Sequence, residues 1–404
     1  SRFSLVDPRT GSPLRIVNLL DGRELAALLS TMVTTFTSFP PLGVVLVALL
    51  GIGVAEQAGF VNAAVRLALS LTPQRLLTPA TILVALVSHT AADAGLVLLP
   101  LAALVFKAAG RHPVAGIVAA MAGWSGGFSA NFIPSGLDPL LAGLTQAGAQ
   151  IVDAAYIVNP LSNWFFTSAS CVPIVLVGWL VTERIVEPRL AALPVQGPGA
   201  AEAGDGGAAE AMPGPLTVRE RRALAAAVAS ITAGVAVLVW WAAPATSSLR
   251  GTGASLTAPD APLMRALVPF IFLLSLLPGV VYGYLAGTFR SHRDIVVGMT
   301  KSMSTMGYYL VLAFCAAQFL AAFAKSNLGV LVALGGADLL KHLSLPGPVT
   351  IVGIVLLTNA INLTMASSSA KWAVLAPVFV PMLMALGLSP ELTQMAYRVG
   401  DSTT

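Results

Sequence analysis

Residues 125–143 read SGGFSANFIPSGLDPLLAG and interrupt a chain of long apolar runs. The run before them, 113–124, would reach roughly 18 Å as a helix, about half the hydrocarbon core of a bilayer. Backbone that leaves the helix at that depth must find partners for its N–H and C=O groups, because lipid offers none. Such backbone survives only where it is buried in protein or lines a polar cavity. The paired glycines permit close approach and irregular dihedrals, and the Ser and Asn side chains can bond the freed backbone. The stretch predicts a re-entrant hairpin with its tip at about 125–131: a half-helix in, a polar tip, and a helix out.

The rest of the chain supports a membrane setting. Of 404 residues, 56% are hydrophobic and only 10% charged, with a mean hydropathy of +0.83; a soluble domain would be about a quarter charged. Apolar runs long enough to cross a bilayer recur, so the fold class is an all-α polytopic membrane protein. The net charge of +4 is spread over loops, which argues against nucleic acid as a partner and makes the basic residues reporters of orientation. Cys171 and Cys315 both lie in apolar runs and read as small core residues, with no disulfide framework and no metal or cofactor implied. The first two dozen residues are polar, with no signal peptide, and the chain ends at GDSTT directly after an apolar region. Both ends read as cut.

Organisation divides the chain in two. Residues 25–39 form an amphipathic helix stopped by Pro40 and Pro41; apolar or helical runs follow at 42–55, 60–71, 76–87, 96–109 and 113–124, and 164–181 spans fully. Between 187 and 218 lie five prolines and six glycines around AEAGDGGAAEAMPGP, a flexible linker on which no structure should be forced. The expected domains are therefore 1–186, the linker 187–218, and 219–404. In the second half, 223–243 and 265–286 are full spans, 296–323 is one long helical run, 327–345 is broken by Gly335 and Gly336, and 348–364 and 373–388 are apolar. Arg184, Arg189, Arg219, Arg221 and Arg222 flank the linker, the 244–264 loop has only Arg250, and Arg290, His292 and Arg293 follow the next span. Basic, poor, basic places the linker in the cytoplasm.

The opening device recurs. A second half-span stops at NLTMASSSAKW, residues 362–372, and another apolar run leads to AYRVGDSTT. Interrupted segments at matching places in two halves point to a secondary transporter built from inverted repeats, with its substrate near the midplane. The plainer alternative is that both are small-residue packing faces. Ionisable residues inside membrane segments are functional candidates by default. Asp93 can carry a proton or cap the helix that follows it. Glu56 and Lys107 sit at run ends and read as snorkelling side chains. Lys301 and Lys371 can neutralise a buried carboxylate or attract an anion, Lys371 being the better candidate, and His89 reads as a helix-end histidine. A rival class is an intramembrane serine hydrolase, since GWSGG at 123–127 matches G-x-S-x-G with Ser125 as nucleophile and His89 as base; the strand–turn–helix context is missing. An aspartyl protease using Asp93 or Asp138 with Asp401 lacks its motifs, and a channel with paired re-entrant segments is the stronger alternative.

The tract ADAG (residues 92–95) leading into VLLPLAALVF, then AGWSGGFSAN, LDPLLAG, SSSAKWAVLAPVFVPML and AYRVGDSTT resemble, in order, the AbgT family of bacterial transporters. That family is known for aminobenzoyl-glutamate uptake and for export of sulfonamide antimetabolites. The resemblance implies a homodimer in the bacterial inner membrane, an elevator-type core with two re-entrant hairpins, and a separate scaffold making the dimer. It also implies one more helix before this chain and more helix after it, and transport driven by sodium or protons. The family's functional aspartate falls on Asp138, its tryptophan on Trp372, its proline on Pro390, and its Arg–Asp pair on Arg398 and Asp401. Ser129 and Asn131 of the first tip join them as substrate or coupling residues. Asn131, Asn362, Ser367, Ser368, Ser369 and Asp401 are the implied oxygens for sodium. Where the family pattern reads GTLDPLLAG, this chain has PSGLDPLLAG. The expected mechanism sets Asp138 and Asp401 face to face, with Arg398, one helical turn away, holding Asp401 ionised. An aromatic carboxylate or sulfonamide would suit Trp372 and Arg398.

Overall fold

The computed structural model describes residues 14–88, 94–127, 129–191, 216–258, 260–342, 346–365 and 367–402, and among them there is no strand. Helix α1 (Gly22–Thr37) starts where the Asp21 carboxylate accepts the Arg23 backbone N–H. Pro40 and Pro41, expected to end a helix, open α2 (Pro40–Ala58) instead. A proline lacks only an N–H that the first turn leaves unpaired anyway. Gly59 closes α2 at φ +84°, a left-handed turn that favours glycine, and α3 (Phe60–Ser70) follows at once.

Two helix groups carry the polar breaks. In the first, α4 (Leu77–Ser88) and α5 (Ala94–Ala108) both pack on α6 (Pro113–Gly127), with α8 (Trp164–Val181) beside them. A methyl at Gly123 would collide with the Ile82 carbonyl, so α6 lies against α4 backbone to surface. The expected tip residues Ser125, Gly126 and Gly127 are still helical, and 129–136 are not. Nor does α7 (Leu137–Ala149) fold back along α6, as a hairpin at this place requires. It packs on α2, α17 (Ser368–Met384) and α18 (Pro390–Asp401), so the chain crosses between groups at the break.

In the second group, α16 (Gly347–Asn362) and α17 both pack on α18, and α15 (Leu328–His342) packs on α17. The helix α15 runs through Gly335 and Gly336 without the expected break. Gly336 is there for proximity, because a Cβ on it would come within 2.6 Å of Met382 Sδ. The long run at 296–323 is broken instead, into α13 (His292–Ser304) and α14 (Gly307–Lys325). Hydroxyls bonding back to the preceding turn, Ser304 to the Lys301 carbonyl and Thr305 to the Ser302 carbonyl, loosen the helix at that point.

The helix ahead of the expected linker runs further than composition implies. After α8 the helix passes through a π turn at Thr182–Val186 into α9 (Glu187–Leu190). Arg111 explains the extension: its guanidinium bonds Glu187 at 2.6 Å, Glu183 at 3.2 Å and the Thr78 hydroxyl at 2.7 Å, tying this end to α4 and the α5–α6 turn. Residues 192–215 lie outside the described residues, as do His89 and Asp93. Thr217 and Glu220 form a capping box that starts α10 (Val218–Ala242). The short α11 (Pro262–Arg265) leads into α12 (Leu267–Ala286), and α2, α10, α12 and α13 pack together as a third bundle, joined to the second group where α2 meets α7. Five segments are long and apolar enough to cross a membrane among the described residues: Gly22–Ala58, Trp164–Leu190, Val218–Ala242, Leu267–Ala286 and Gly307–Lys325. Apart from α8, the helices gathered on α6 and α18 are shorter than these.

Candidate functional site

Where α7 begins, Ser135 sits three residues before Asp138 and turns its backbone N–H onto Asp138 Oδ2 at 2.9 Å, with the hydroxyl at 3.4 Å. The departure PSG from the family pattern adds only the serine hydroxyl to this contact, since the backbone N–H is independent of the side chain. The other oxygen, Oδ1, accepts from Arg398 Nη2 of α18 at 2.7 Å. Asp138 also lies in the first turn of α7, where the helix dipole favours a negative charge. Arg398 is 2% exposed, and its Nε is buried with no hydrogen-bond partner. The expected pairing of Arg398 with Asp401 is replaced by this one.

The partner of Asp401 is Lys371. Its ammonium lies 2.5 Å from Asp401 Oδ1 and also donates to Asn362 Oδ1. Asn362 turns its amide onto the carbonyls of Gly400 and Asp401, at 2.9 and 3.0 Å, so the end of α16 holds the end of α18. A methyl on Gly400 would meet the Val355 carbonyl at 2.6 Å, so only glycine permits this approach. Ser129, just past α6, donates its hydroxyl to Asp401 Oδ2 at 3.3 Å, and the Tyr397 hydroxyl stands 3.4 Å from Oδ1. Thus the last turn of α18 and the segment just past α6 meet at one carboxylate.

Beneath these pairs Trp372 and Tyr397 stack, with ring centroids 4.4 Å apart and an interplanar angle of 23°. Both are completely buried. Trp372 Nε1 donates to Thr145 Oγ1 at 2.9 Å, and Thr145 lies 2.6 Å from Gln394 Oε1. The tryptophan is the floor of the site rather than a surface open to a ligand. Pro390 is buried at the first turn of α18, whose start the Ser389 side chain caps.

Of the expected sodium oxygens, the structure brings Asn362 and Asp401 to one point, with Ser129 against the same carboxylate. Ser368 reaches the Tyr397 hydroxyl at 3.2 Å. Ser367 is exposed and caps α17, and its hydroxyl lies 3.4 Å from that of Ser369. Asn131 uses its oxygen on the Ile133 backbone N–H at 2.9 Å and leaves its buried Nδ2 without a partner. The Asn362–Asp401 pair fits a monovalent cation by donor chemistry, a neutral oxygen beside a carboxylate oxygen, and the lysine ammonium stands there as one. Lys301 and Lys107 are exposed and far from this cluster in the fold, and Ser125 lies within α6, not on a strand-to-helix elbow. Ser135, Tyr397, Thr145 and Gln394 join the site without being among the expected residues. The Ser-x-x-Asp spacing of Ser135 and Asp138 is a readable capping signal, and Tyr397 precedes Asp401 by four residues on one helix face.

Comparison with known proteins gives a consistent result. The family described as the AbgT putative transporter family matches residues 2–404. The p-aminobenzoyl-glutamate transport protein of Escherichia coli (strain K12) is 34% identical over 401 residues, 99% of this chain and 76% of that protein. Among solved structures, Neisseria gonorrhoeae MtrF, described as illuminating a class of antimetabolite efflux pumps, superposes with a TM-score of 0.89 at 44% identity, over 97% of this chain and 76% of that one. The Alcanivorax borkumensis YdaH transporter, described as having an unusual topology, gives 0.89 at 39% identity, over 99% and 82%.

Proposed function

The chain belongs to the AbgT putative transporter family, and from that premise we propose that it is a cation-coupled secondary transporter of aromatic anions. Its substrates are p-aminobenzoyl-glutamate-like acids, sulfonamide antimetabolites, or both. The observation that carries this reading is the buried set of ion pairs Asp138–Arg398 and Asp401–Lys371, in which Arg398 Nε has no hydrogen-bond partner among the described residues. A buried donor left unpaired costs roughly 1–3 kcal/mol, and a carboxylate or sulfonyl oxygen arriving there removes that cost. Asp138, Arg398, Lys371, Asp401 and Asn362 are then the coupling and binding groups, with Ser129 holding the Asp401 carboxylate. Trp372 and Pro390 keep α17 and α18 in place beneath them.

The inverted repeats are α4, α5 and α6 against α16, α17 and α18. In each, two short helices joined through a polar stretch pack on a third helix with a glycine in its last turn, Gly127 in α6 and Gly400 in α18. This moves the first hairpin from α6–α7 to α4–α5. The remaining long spans make the scaffold and the homodimer, the linker is cytoplasmic, and the protein resides in the bacterial inner membrane.

Coupling follows from charge balance. Buried charge at membrane depth is costly unless paired, so a core whose two carboxylates are both neutralised can move, and one left with a net charge cannot. The test is flux of labelled p-aminobenzoyl-glutamate and of a sulfonamide in proteoliposomes, under sodium and proton gradients imposed separately. Gradient-driven movement of at least one compound is the expected result. No flux of either under any gradient would reject the reading.

A further inference from the structure

The position expected for sodium holds a charge supplied by the chain itself. Lys371 is 2% exposed and its ammonium is in direct contact with Asn362 Oδ1 and Asp401 Oδ1. These two oxygens come from different helices, α16 and α18, and the amide of the same Asn362 clasps the backbone of α18. Without a cation between the two oxygens, the Asp401 carboxylate keeps, among the described residues, only the weaker hydroxyl contacts of Ser129 and Tyr397. The other buried cation nearby, Arg398, is engaged with Asp138. An ammonium and a sodium ion ask for the same ligands, and two positive charges cannot share one carboxylate oxygen in a dry site without strong repulsion.

We propose that Lys371 is a displaceable internal cation: it fills the Asn362–Asp401 position in the ion-free protein and must withdraw before sodium is held there. This rests on the cation-coupled reading and deepens it by naming the group with which the coupling ion competes. Lys371 then has two roles. It keeps α16 and α18 joined while the site holds no ion, and it sets how tightly sodium can bind.

The experiment is a sodium titration of the full chain in detergent, at constant ionic strength with choline as the replacing cation. It is read by the thermal unfolding midpoint and by tryptophan fluorescence. Lys371→Gln removes the competitor, so its midpoint should be low in choline and recover in sodium. Its apparent sodium affinity should exceed that of the wild type by about tenfold or more, about 1.4 kcal/mol. The double variant Lys371→Gln/Asp401→Asn should show no sodium response. A sodium response in Lys371→Gln no stronger than in the wild type, or one that survives loss of Asp401, overturns the proposal. Should Lys371→Gln fail to fold, the wild type still decides: Lys371 should be acylated faster by an amine-reactive reagent in sodium than in choline, as read by peptide mass spectrometry, and equal rates overturn the proposal. None of these readouts needs a transported substrate. Absence of flux with a positive titration would reject the transporter reading alone, and a flat titration in a chain that carries substrate would reject the lysine exchange alone.

Discussion

Arg398 and Asp138 are 260 positions apart and meet at 2.7 Å in a buried ion pair. Removing one partner of such a pair leaves an uncompensated charge, costing roughly 3–5 kcal/mol, whereas removing both together is often close to neutral. Asp138→Asn should therefore lower the unfolding midpoint in detergent strongly, and Asp138→Asn/Arg398→Gln should recover most of the loss. Equal destabilisation by the single and the double variant would show that the pair does not hold the fold. Ser135→Ala should cost less, about 1 kcal/mol, because it removes the hydroxyl's weaker contacts, to Asp138 and from the Leu137 backbone N–H, and leaves the Ser135 backbone N–H in place. The motif SGLDP makes Asp138 conspicuous, and RVGD does the same for Arg398 and Asp401. Their partners are not legible. Spacing puts Arg398 one turn from Asp401, but which charge a buried arginine meets is decided by helix packing, and α18 presents it to α7. For the same reason Lys371 stands out as a candidate without a named acceptor.

At the scale of elements, α18 is held from both ends. Its last turn is clasped by Asn362, and its first is fixed by the Ser389 cap, Pro390, and Glu391, which accepts the Tyr156 hydroxyl at 3.0 and 3.2 Å. Burial of Tyr156, and then the neighbouring Glu391 charge, push that phenol from 10.0 up to about 12. A raised folded-state value favours the protonated form in the fold. The bond's contribution is complete below pH 10 and is lost as pH rises toward about 12. Wild type should show an extra fall in unfolding midpoint across that window that Tyr156→Phe lacks; identical profiles would remove the bond from the account. Gly400→Ala tests the other end: its methyl must push α18 off α16, and overpacking of this kind typically costs about 1–3 kcal/mol. Helix existence is readable along most of the chain from apolar periodicity, but breaks are not. Paired prolines open α2, paired glycines pass unbroken through α15, and α13 parts from α14 at a run of hydroxyl residues. At Gly336 the reason is a neighbouring helix, which no local pattern encodes.

For the whole molecule, two helix groups converge on one carboxylate while a third bundle of long spans stands beside them. The linker between the halves is predicted to be cytoplasmic from the arginines on both sides of it. Gly206→Cys should resist an impermeant thiol reagent applied to intact cells and react after permeabilisation; ready labelling from outside would invert the topology. Composition makes the membrane class legible. It does not show that α6 and α18, rather than a hairpin at 125–131, are the pair that meets. The central claim is that Asp401 and the Asp138–Arg398 pair couple substrate movement to a cation gradient. Its most direct test is gradient-driven accumulation of labelled p-aminobenzoyl-glutamate or a sulfonamide in proteoliposomes. Wild type is compared with Asp401→Asn and with Asp138→Asn/Arg398→Gln, each first shown to be folded by chromatography. Accumulation by the wild type and its loss in both variants is the result expected; wild-type, gradient-dependent accumulation in both variants would contradict the account.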